Sequence, residues 1–420
     1  MSLDAAYTGM FNEGRHWLAS LVLLMLAPIV VADEWKVTGA LDQSVEYDDN
    51  IGLNINATPA FGYLLNPSFS ADWNATNMSA GITGRGDIRR YDDDRWDCET
   101  FSVDFNQQYQ QRLNVFSVTA GYAESCAGAN QISDTGILLP NNQSETYNIA
   151  PAWSWQWSSL DRFSLSPSYS KTTFSSSGVA NIVETSGLGF QGNETYSVNL
   201  SENHLWTRRL SSTISSFFSR TEFGESGNSS KQDVFGFQLD NQYEITRMWS
   251  INVGGGLSWV DSPSNSGSID NSNDSLLRTE TVNLALNYNG RRIDYSIDYS
   301  RRINPSSSGQ ITEYNSVNMT FSYQISRELV FNIDGTFSKN ETVGKSVRQI
   351  SADRTYYTAS IGLVWDFARE WQLSTSYRYR RQEFTSADQG QLANELASAR
   401  DSNALMIHLN YNWDGLRVFR

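Results

Sequence analysis

The chain has 420 residues, a net charge of −15 and a mean hydropathy of −0.45. The acidic total and the lack of a basic stripe argue against a nucleic-acid partner. After residue 32, no stretch is long and apolar enough to form a transmembrane helix. Aromatic residues nevertheless make up 13% of the chain against 18% charged residues, which is an unusual balance for a cytoplasmic enzyme.

The N-terminus predicts secretion. Arg15 precedes an apolar run that ends in small residues, "WLASLVLLMLAPIVVA", which is typical of a secretory signal peptide cleaved after Ala32. The alternative is a membrane anchor, but the run is short and Pro28 interrupts it. The acidic segment before Arg15 points to Met10 as the true start. The predicted organisation is a signal peptide over residues 1–32 and one domain over residues 33–420.

Alternation of apolar and polar residues recurs along the rest of the chain and predicts strands. No helical period of comparable length occurs. The runs are commonly about 9 to 13 residues long, which matches a tilted strand crossing a bilayer better than a strand of a soluble domain. In chain order they include "FGYLLNPSF" (61–69), "YNIAPAWSWQW" (147–157), "VNLALNY" (282–288), "RRIDYSIDYSRRI" (291–303), "TYYTASIGLVWDF" (355–367) and "ALMIHLNYNW" (404–413).

The last of these runs shows what the alternation means. Its apolar face carries Leu405, Ile407, Leu409, Tyr411 and Trp413, and its other face carries Met406, His408, Asn410 and Asn412. We predict that lipid covers the apolar face and that the polar face lines the lumen of a barrel.

The connections between the runs alternate between short and long. Tight turns are predicted near 74–77, 111–114, 158–161, 207–209, 246–248, 289–291, 326–328 and 367–370, and Asn289-Gly290 is the strongest hairpin signal among them. Longer loops rich in Ser, Asn, Asp and Gly lie between them, such as 262–275 and 386–402. This layout predicts an all-β, transmembrane, antiparallel up-and-down β-barrel of about 18 strands (16–18), with short periplasmic turns, long extracellular loops and both termini in the periplasm.

Tryptophan placement supports the same fold. Amphipathic indole rings prefer the boundary between hydrocarbon and headgroups, so tryptophans beside short turns predict a periplasmic aromatic girdle. The eight residues placed in this girdle are Trp35, Trp73, Trp157, Trp206, Trp249, Trp365, Trp371 and Trp413.

Charged residues fall on the predicted inward face of three runs. One interpretation is a lattice of mutual salt bridges that stiffens the barrel wall. The other is a field that selects charged solutes or polymers in a water-filled channel. These pore-lining candidates are Arg85, Asp87 and Arg89, then Arg292, Asp294, Asp298 and Arg302, and then Arg378 and Arg380.

The two cysteines, Cys98 and Cys126, flank one predicted hairpin almost symmetrically about its turn. In an oxidising periplasm this arrangement predicts a disulfide near the outer rim. The face pattern puts the two residues one position out of register, so the hairpin must be distorted where they meet.

Residues with catalytic or metal-binding chemistry are sparse. The chain has no CxxC, P-loop or GxSxG motif, and His408 beside Asn410 is interpreted as a hydrated lumen residue rather than part of an embedded hydrolase. Asp48 with Asp49, and the run 92–94, lack the spacing of a calcium loop and predict a solvated rim. The expectation is a protein that is not an enzyme and that holds no metal ion and no cofactor.

The first strand carries a family resemblance. "VEYDDNIGL" (45–53), with its "YDDN", resembles the opening segment of the β-barrel porin 2 family, and the likeness extends in layout over the predicted mature chain. Barrels of that family are associated with bacterial exopolysaccharide production and export. The tail "DGLRVFR" departs from the pattern, because such proteins commonly end on an aromatic residue.

The resemblance implies a passive conduit linked to exopolysaccharide export in the bacterial outer membrane. A general diffusion porin for small solutes and a plugged barrel acting as a surface adhesin or scaffold remain as alternatives. The expected partners are outer-membrane lipid and lipopolysaccharide, the barrel assembly machinery and components of polysaccharide export.

Overall fold

A computed structural model describes residues 34–54, 56–126, 142–176, 192–224, 230–261, 276–305, 311–342, 353–384 and 399–419. The expected signal peptide, the loop at 262–275 and most of the loop at 386–402 lie outside the described residues. Within the described ranges, no helix is long and apolar enough to cross a membrane. In the described part of the chain, a 3-10 turn at Asp94–Trp96 lies between two of the strands.

Eighteen antiparallel strands form one sheet that closes on itself. Each strand pairs with its neighbours in sequence, and β1 pairs with β18 to complete the barrel. The first nine strands are β1 Glu34–Asp48, β2 Ala60–Ala75, β3 Met78–Tyr91, β4 Cys98–Gln111, β5 Asn114–Cys126, β6 Asn142–Gln156, β7 Asp161–Ser176, β8 Asn193–Thr207 and β9 Leu210–Phe223. The others are β10 Ser230–Glu244, β11 Trp249–Asp261, β12 Leu277–Asn289, β13 Ile293–Pro305, β14 Ile311–Gln324, β15 Leu329–Thr342, β16 Arg354–Ala368, β17 Trp371–Phe384 and β18 Arg400–Phe419.

The predicted fold class, strand number and order of connections are confirmed. All the predicted short turns join consecutive strands at one end of the barrel, where β1 begins and β18 ends. We call this the short-turn end and the opposite end the long-loop end. Closure into a barrel leaves no strand edge unpaired, which is why strands alone can make such a wall.

The two faces of the wall follow the predicted alternation. In β18, Leu405 and Ile407 lie opposite Tyr47 and Val45 of β1, and all four side chains are exposed on the outer surface. The alternate residues of β18 face the lumen, and among them His408 lies opposite Ser44 of β1. The large exposed apolar side chains of the described strands therefore form an outer apolar surface, and polar residues form the inner one.

The last strand is longer than the alternation of 404–413 predicts. A bulge in β18, where Asp414 and Gly415 lie opposite Thr38 of β1, lets the strand continue past Trp413, and residues 416–419 pair with the start of β1. Gly415 has a φ of +81°, a conformation that favours glycine and supplies the kink. The tail that departed from the family pattern is therefore part of the barrel wall.

The predicted girdle tryptophans all lie at the short-turn end. Trp157 and Trp206 are the most exposed of the set, at 68% and 62%. Trp73 differs, because it is only 5% exposed and lies against Trp35 with ring centroids 6.4 Å apart. Trp153 and Trp155, which the girdle prediction left out, continue the row beside Trp157 with ring centroids 6.3 and 6.1 Å apart.

Cys98 and Cys126 are joined in a disulfide with their Cα atoms 6.1 Å apart. The β4–β5 ladder ends at the pair Ser102 and Ala123, and the two strands separate beyond it. This separation is the distortion that the out-of-register spacing required.

We expect both cysteines to resist thiol labelling in folded protein purified without reductant. The same protein should take up two labels after unfolding and reduction, and none after unfolding alone. Mass spectrometry of the labelled protein gives the count. Labelling of either cysteine after unfolding without reductant would show that the disulfide does not form.

Candidate functional site: the lumenal wall

The strand registers place most of the predicted pore-lining residues on the inner wall. Arg85, Asp87 and Arg89 of β3 face the lumen, as do Asp294, Asp298 and Arg302 of β13 and Arg378 and Arg380 of β17. The prediction that Arg292 lines the pore is wrong. Arg292 is exposed in the turn before β13, because the strand begins one residue later at Ile293.

The lumen is wide enough for inward side chains to be exposed. Asp104, Asn106 and Gln108 of β4 face inward and are all exposed, as is Asp334 of β15. An 18-stranded barrel with ordinary strand spacing and tilt has a backbone radius of about 18 Å. The described wall therefore encloses a space that water can fill.

A buried charge network lies where the barrel closes. Asp48 is 0% exposed, and its carboxylate accepts from Arg380 at 2.6 Å, from the Ser402 hydroxyl at 2.7 Å and from the Asn50 backbone N–H at 2.9 Å. Arg378 lies 3.5 Å from the same carboxylate and donates to Glu46 at 2.7 Å. We call Glu46, Asp48, Asn50, Arg378, Arg380 and Ser402 the seam cluster, because it ties β1 to β17 and β18.

The seam cluster reaches across β2 to β3. The Tyr91 hydroxyl donates to Glu46 at 3.1 Å, and its ring crosses over Gly62 on the intervening strand. A Cβ at Gly62 would lie 2.3 Å from the Tyr91 ring, so the crossing requires glycine. Four strands are thereby linked at one level of the wall.

The start of the first outer loop folds onto the lumenal side of this network. Arg380 donates to the carbonyl of Ile51 at 3.3 Å, and Arg400 donates to the carbonyl of Leu53 at 3.3 Å. Asn50 bonds to the backbone of Asn54 and Asp401, both at 2.9 Å. Because Arg380 and Arg400 face inward, residues 50–53 narrow the lumen at the long-loop end.

The expectation of a solvated acidic rim is wrong for the first acidic pair. Asp48 is buried in the seam cluster, and Asp49 accepts from the backbone and side-chain N–H groups of Asn403 at 2.7 and 2.8 Å. Alternation alone could not show this, because the side-chain partners of both carboxylates lie at least 330 residues away in sequence. In the second acidic run Asp92 and Asp94 are exposed and Asp93 is half-buried, and hydrogen bonds from Arg95 lower the pKa of Asp93.

The other lumenal charges are arranged in smaller groups. Arg89 pairs with Asp87 at 2.5 Å, and together with Arg85 they line a recess of about 460 Å³ against β1–β5. Arg302 lies over the ring of Tyr314 at 5.0 Å. The ion-paired arginines of β3 and β17 fit the interpretation of a salt-bridge lattice in the wall. Each has a carboxylate within hydrogen-bond distance, and that carboxylate offsets the charge of the guanidinium.

A neutral polar surface forms another part of the wall. On the long-loop side of Arg162, the inward residues of β7, β8 and β9 are Ser, Thr, Asn and Phe. Their hydroxyl groups pair across strands, as in Ser168 with Ser197 at 2.6 Å and Thr195 with Thr221 at 3.1 Å. We call this surface the neutral face. No motif marks it in the sequence, since serines at every second position resemble an ordinary polar strand face.

Solved structures share the barrel architecture. The FrpB iron transporter from Neisseria meningitidis, in its apoprotein form, superposes with a TM-score of 0.50 at 9% sequence identity, over 90% of this chain and 81% of that chain. This chain has the fold of an outer-membrane β-barrel.

Two further solved structures superpose on most of the chain. OccAB3 from Acinetobacter baumannii has a TM-score of 0.49 at 8% identity, with coverage of 91% of this chain and 99% of that chain. The outer membrane protein OpdK from Pseudomonas aeruginosa has a TM-score of 0.47 at 9% identity, with coverage of 91% and 99%. No protein-family model matches the chain, and no curated protein does.

Proposed function

We propose that this chain is a passive channel for hydrophilic solutes in the bacterial outer membrane. The observation that carries the proposal is the polar inner wall, on which charged and polar side chains such as Asp104 and Asp334 are exposed inside a closed barrel. An apolar outer surface gives the barrel a lipid-facing side, and a polar lumen gives solutes a path through it. The short turns then lie in the periplasm and the long loops outside the cell.

Polysaccharide is the cargo class that we favour, in a role linked to exopolysaccharide export. The neutral face supports it, because short hydroxyl and amide side chains leave the lumen wide and match the donors and acceptors of a polyhydroxylated chain. The resemblance of the "YDDN" segment to the porin 2 family points the same way. General diffusion of small solutes is the competing proposal, and the charged groups of β1 and β3 fit it equally well.

Conductance of refolded, signal-free protein in planar bilayers tests the channel. We expect stable open steps, and we expect liposomes carrying the protein to admit neutral oligosaccharides. A neutral polysaccharide added from the long-loop side should enter and reduce the conductance. Uptake limited to small sugars, with no effect of the polymer, would favour a diffusion porin. Silence from correctly folded protein would overturn the channel and favour the plugged barrel.

A further inference from the structure

Four inward aspartates that lie away from the strand ends have no cation beside them among the described residues. Asp240, Asp298 and Asp334 lie four or five residues from the short-turn ends of β10, β13 and β15, and Asp104 lies seven residues from that end of β4. Their strand registers point all four into the lumen. We call Asp104, Asp240, Asp298 and Asp334 the mid-lumen aspartates.

The residues next to them are small or neutral. Within the described wall, none of the four forms an ion pair, and their hydrogen bonds come from neutral donors. Gln238 donates to Asp240 at 2.8 Å, Asn318 to Asp298 at 2.9 Å and Ser360 to Asp334 at 3.3 Å. The cross-strand neighbours are Thr83 and Gly121 for Asp104, Thr213 and Gly254 for Asp240, Ala285 and Asn318 for Asp298, and Thr320 and Ser360 for Asp334.

The packing around Asp240 shows how the wall accommodates such a carboxylate. A Cβ at Gly254 would lie 1.9 Å from Asp240 Oδ1, so the carboxylate lies across the backbone of the neighbouring strand. Glycine at this position lets the carboxylate lie against the wall, and the side-chain amide of Gln238 donates to both of its oxygens, at 3.0 and 2.8 Å. The neutral hydrogen bonds orient these carboxylates without offsetting their charge.

The lumenal arginines behave differently. Arg89, Arg378 and Arg380 each have a carboxylate within hydrogen-bond distance, and these pairs lie nearer the long-loop end. Arg85 and Arg302 have no ion pair among the described residues; Arg85 lies seven residues from the short-turn end of β3, as Asp104 does in β4, and Arg302 lies over the ring of Tyr314. The unpaired mid-lumen carboxylates outnumber these unpaired arginines, so this part of the wall carries a net negative charge, and of the four aspartates Asp298 alone was a pore-lining candidate in the sequence.

We propose that the mid-lumen aspartates make this channel selective for cations. The inference rests on the proposed channel function and assigns its charge preference to these four residues. A ring of carboxylates around a water-filled lumen concentrates cations and excludes anions. The Debye length is about 30 Å at 0.01 M salt and about 3 Å at 1 M. Against a wall radius of about 18 Å, the selectivity is strong in dilute salt and nearly absent in concentrated salt.

Reversal potentials in potassium chloride gradients test the inference. We expect wild-type channels to favour potassium over chloride in dilute salt, with the permeability ratio approaching one near 1 M. Replacing all four residues, Asp104→Asn, Asp240→Asn, Asp298→Asn and Asp334→Asn, should bring the dilute-salt ratio to one or below while open steps persist. The wild-type measurement needs no variant to fold, so it decides the sign of the selectivity by itself.

A matched control removes the same number of negative charges from the outer surface. The residues Glu99, Glu222, Asp233 and Glu383 lie on outward faces near the long-loop end, and their amide variants should keep the wild-type ratio. Anion-selective wild-type channels, or an unchanged ratio in the conducting lumenal variant, would overturn the inference and leave the channel function standing. Absence of conductance in folded wild-type protein would overturn both.

Discussion

Replacing Asp48 with alanine is expected to lower the free energy of unfolding by about 3–5 kcal/mol. The variant leaves the Arg380 guanidinium, whose side chain is 9% exposed, without its carboxylate partner. It also removes the acceptor of the Ser402 hydroxyl and the Asn50 N–H. An unpaired charge buried in a wall costs more than the ion pair contributes, because desolvation is no longer offset. Urea unfolding of lipid-reconstituted protein, followed by tryptophan fluorescence, measures the change.

Two further variants separate the buried charge from a general effect of losing an acidic residue. Asp93→Ala removes a carboxylate whose partner, Arg95, is on the exposed rim, so its loss should be much smaller. The double variant Asp48→Leu with Arg380→Met removes both charges and should recover most of the stability lost in Asp48→Ala. Equal losses in Asp48→Ala and Asp93→Ala would contradict the role of the seam cluster.

Replacing Ile361 with arginine is expected to cost about 2–4 kcal/mol of unfolding free energy in lipid. Ile361 lies near the middle of β16 on the outer face and is 45% exposed, so the guanidinium would enter the hydrocarbon. Its neighbour Ser360 faces the lumen opposite Asp334, and Ser360→Arg would place the same charge in water beside a carboxylate. The lumenal variant should therefore change the stability little.

The two substituted positions are adjacent in sequence, but their side chains lie on opposite faces of the barrel wall. The same urea unfolding measurement in lipid vesicles applies to both. If Ile361→Arg were tolerated as well as Ser360→Arg, the outer face of β16 would not be in contact with hydrocarbon. The membrane location would then need another explanation.

The sequence predicts the charged site only in part. The inward positions of Arg378 and Arg380 follow from alternation, yet their partners Glu46 and Asp48 belong to the first strand, and nothing along the chain links the two segments. The "YDDN" segment carries a family resemblance in the sequence, whereas in the structure Asp48, Asp49 and Asn50 close the barrel and hold the loop inward. Nothing in the sequence distinguishes Asp104, Asp240 and Asp334, because an isolated aspartate on a polar strand face is ordinary.

What the sequence by itself determined is the fold: a period of two with long runs permits one inward and one outward face, and alternating turn lengths impose consecutive antiparallel pairing. The strand number and the faces of Leu405, His408 and Arg378 follow from these local rules. Which charges are compensated was decided only by the tertiary structure. Barrel closure pairs β1 with β18 and so brings it close to β17. The interaction between two charges depends on their distance and on the water between them. The spacing of residues along one strand specifies neither quantity.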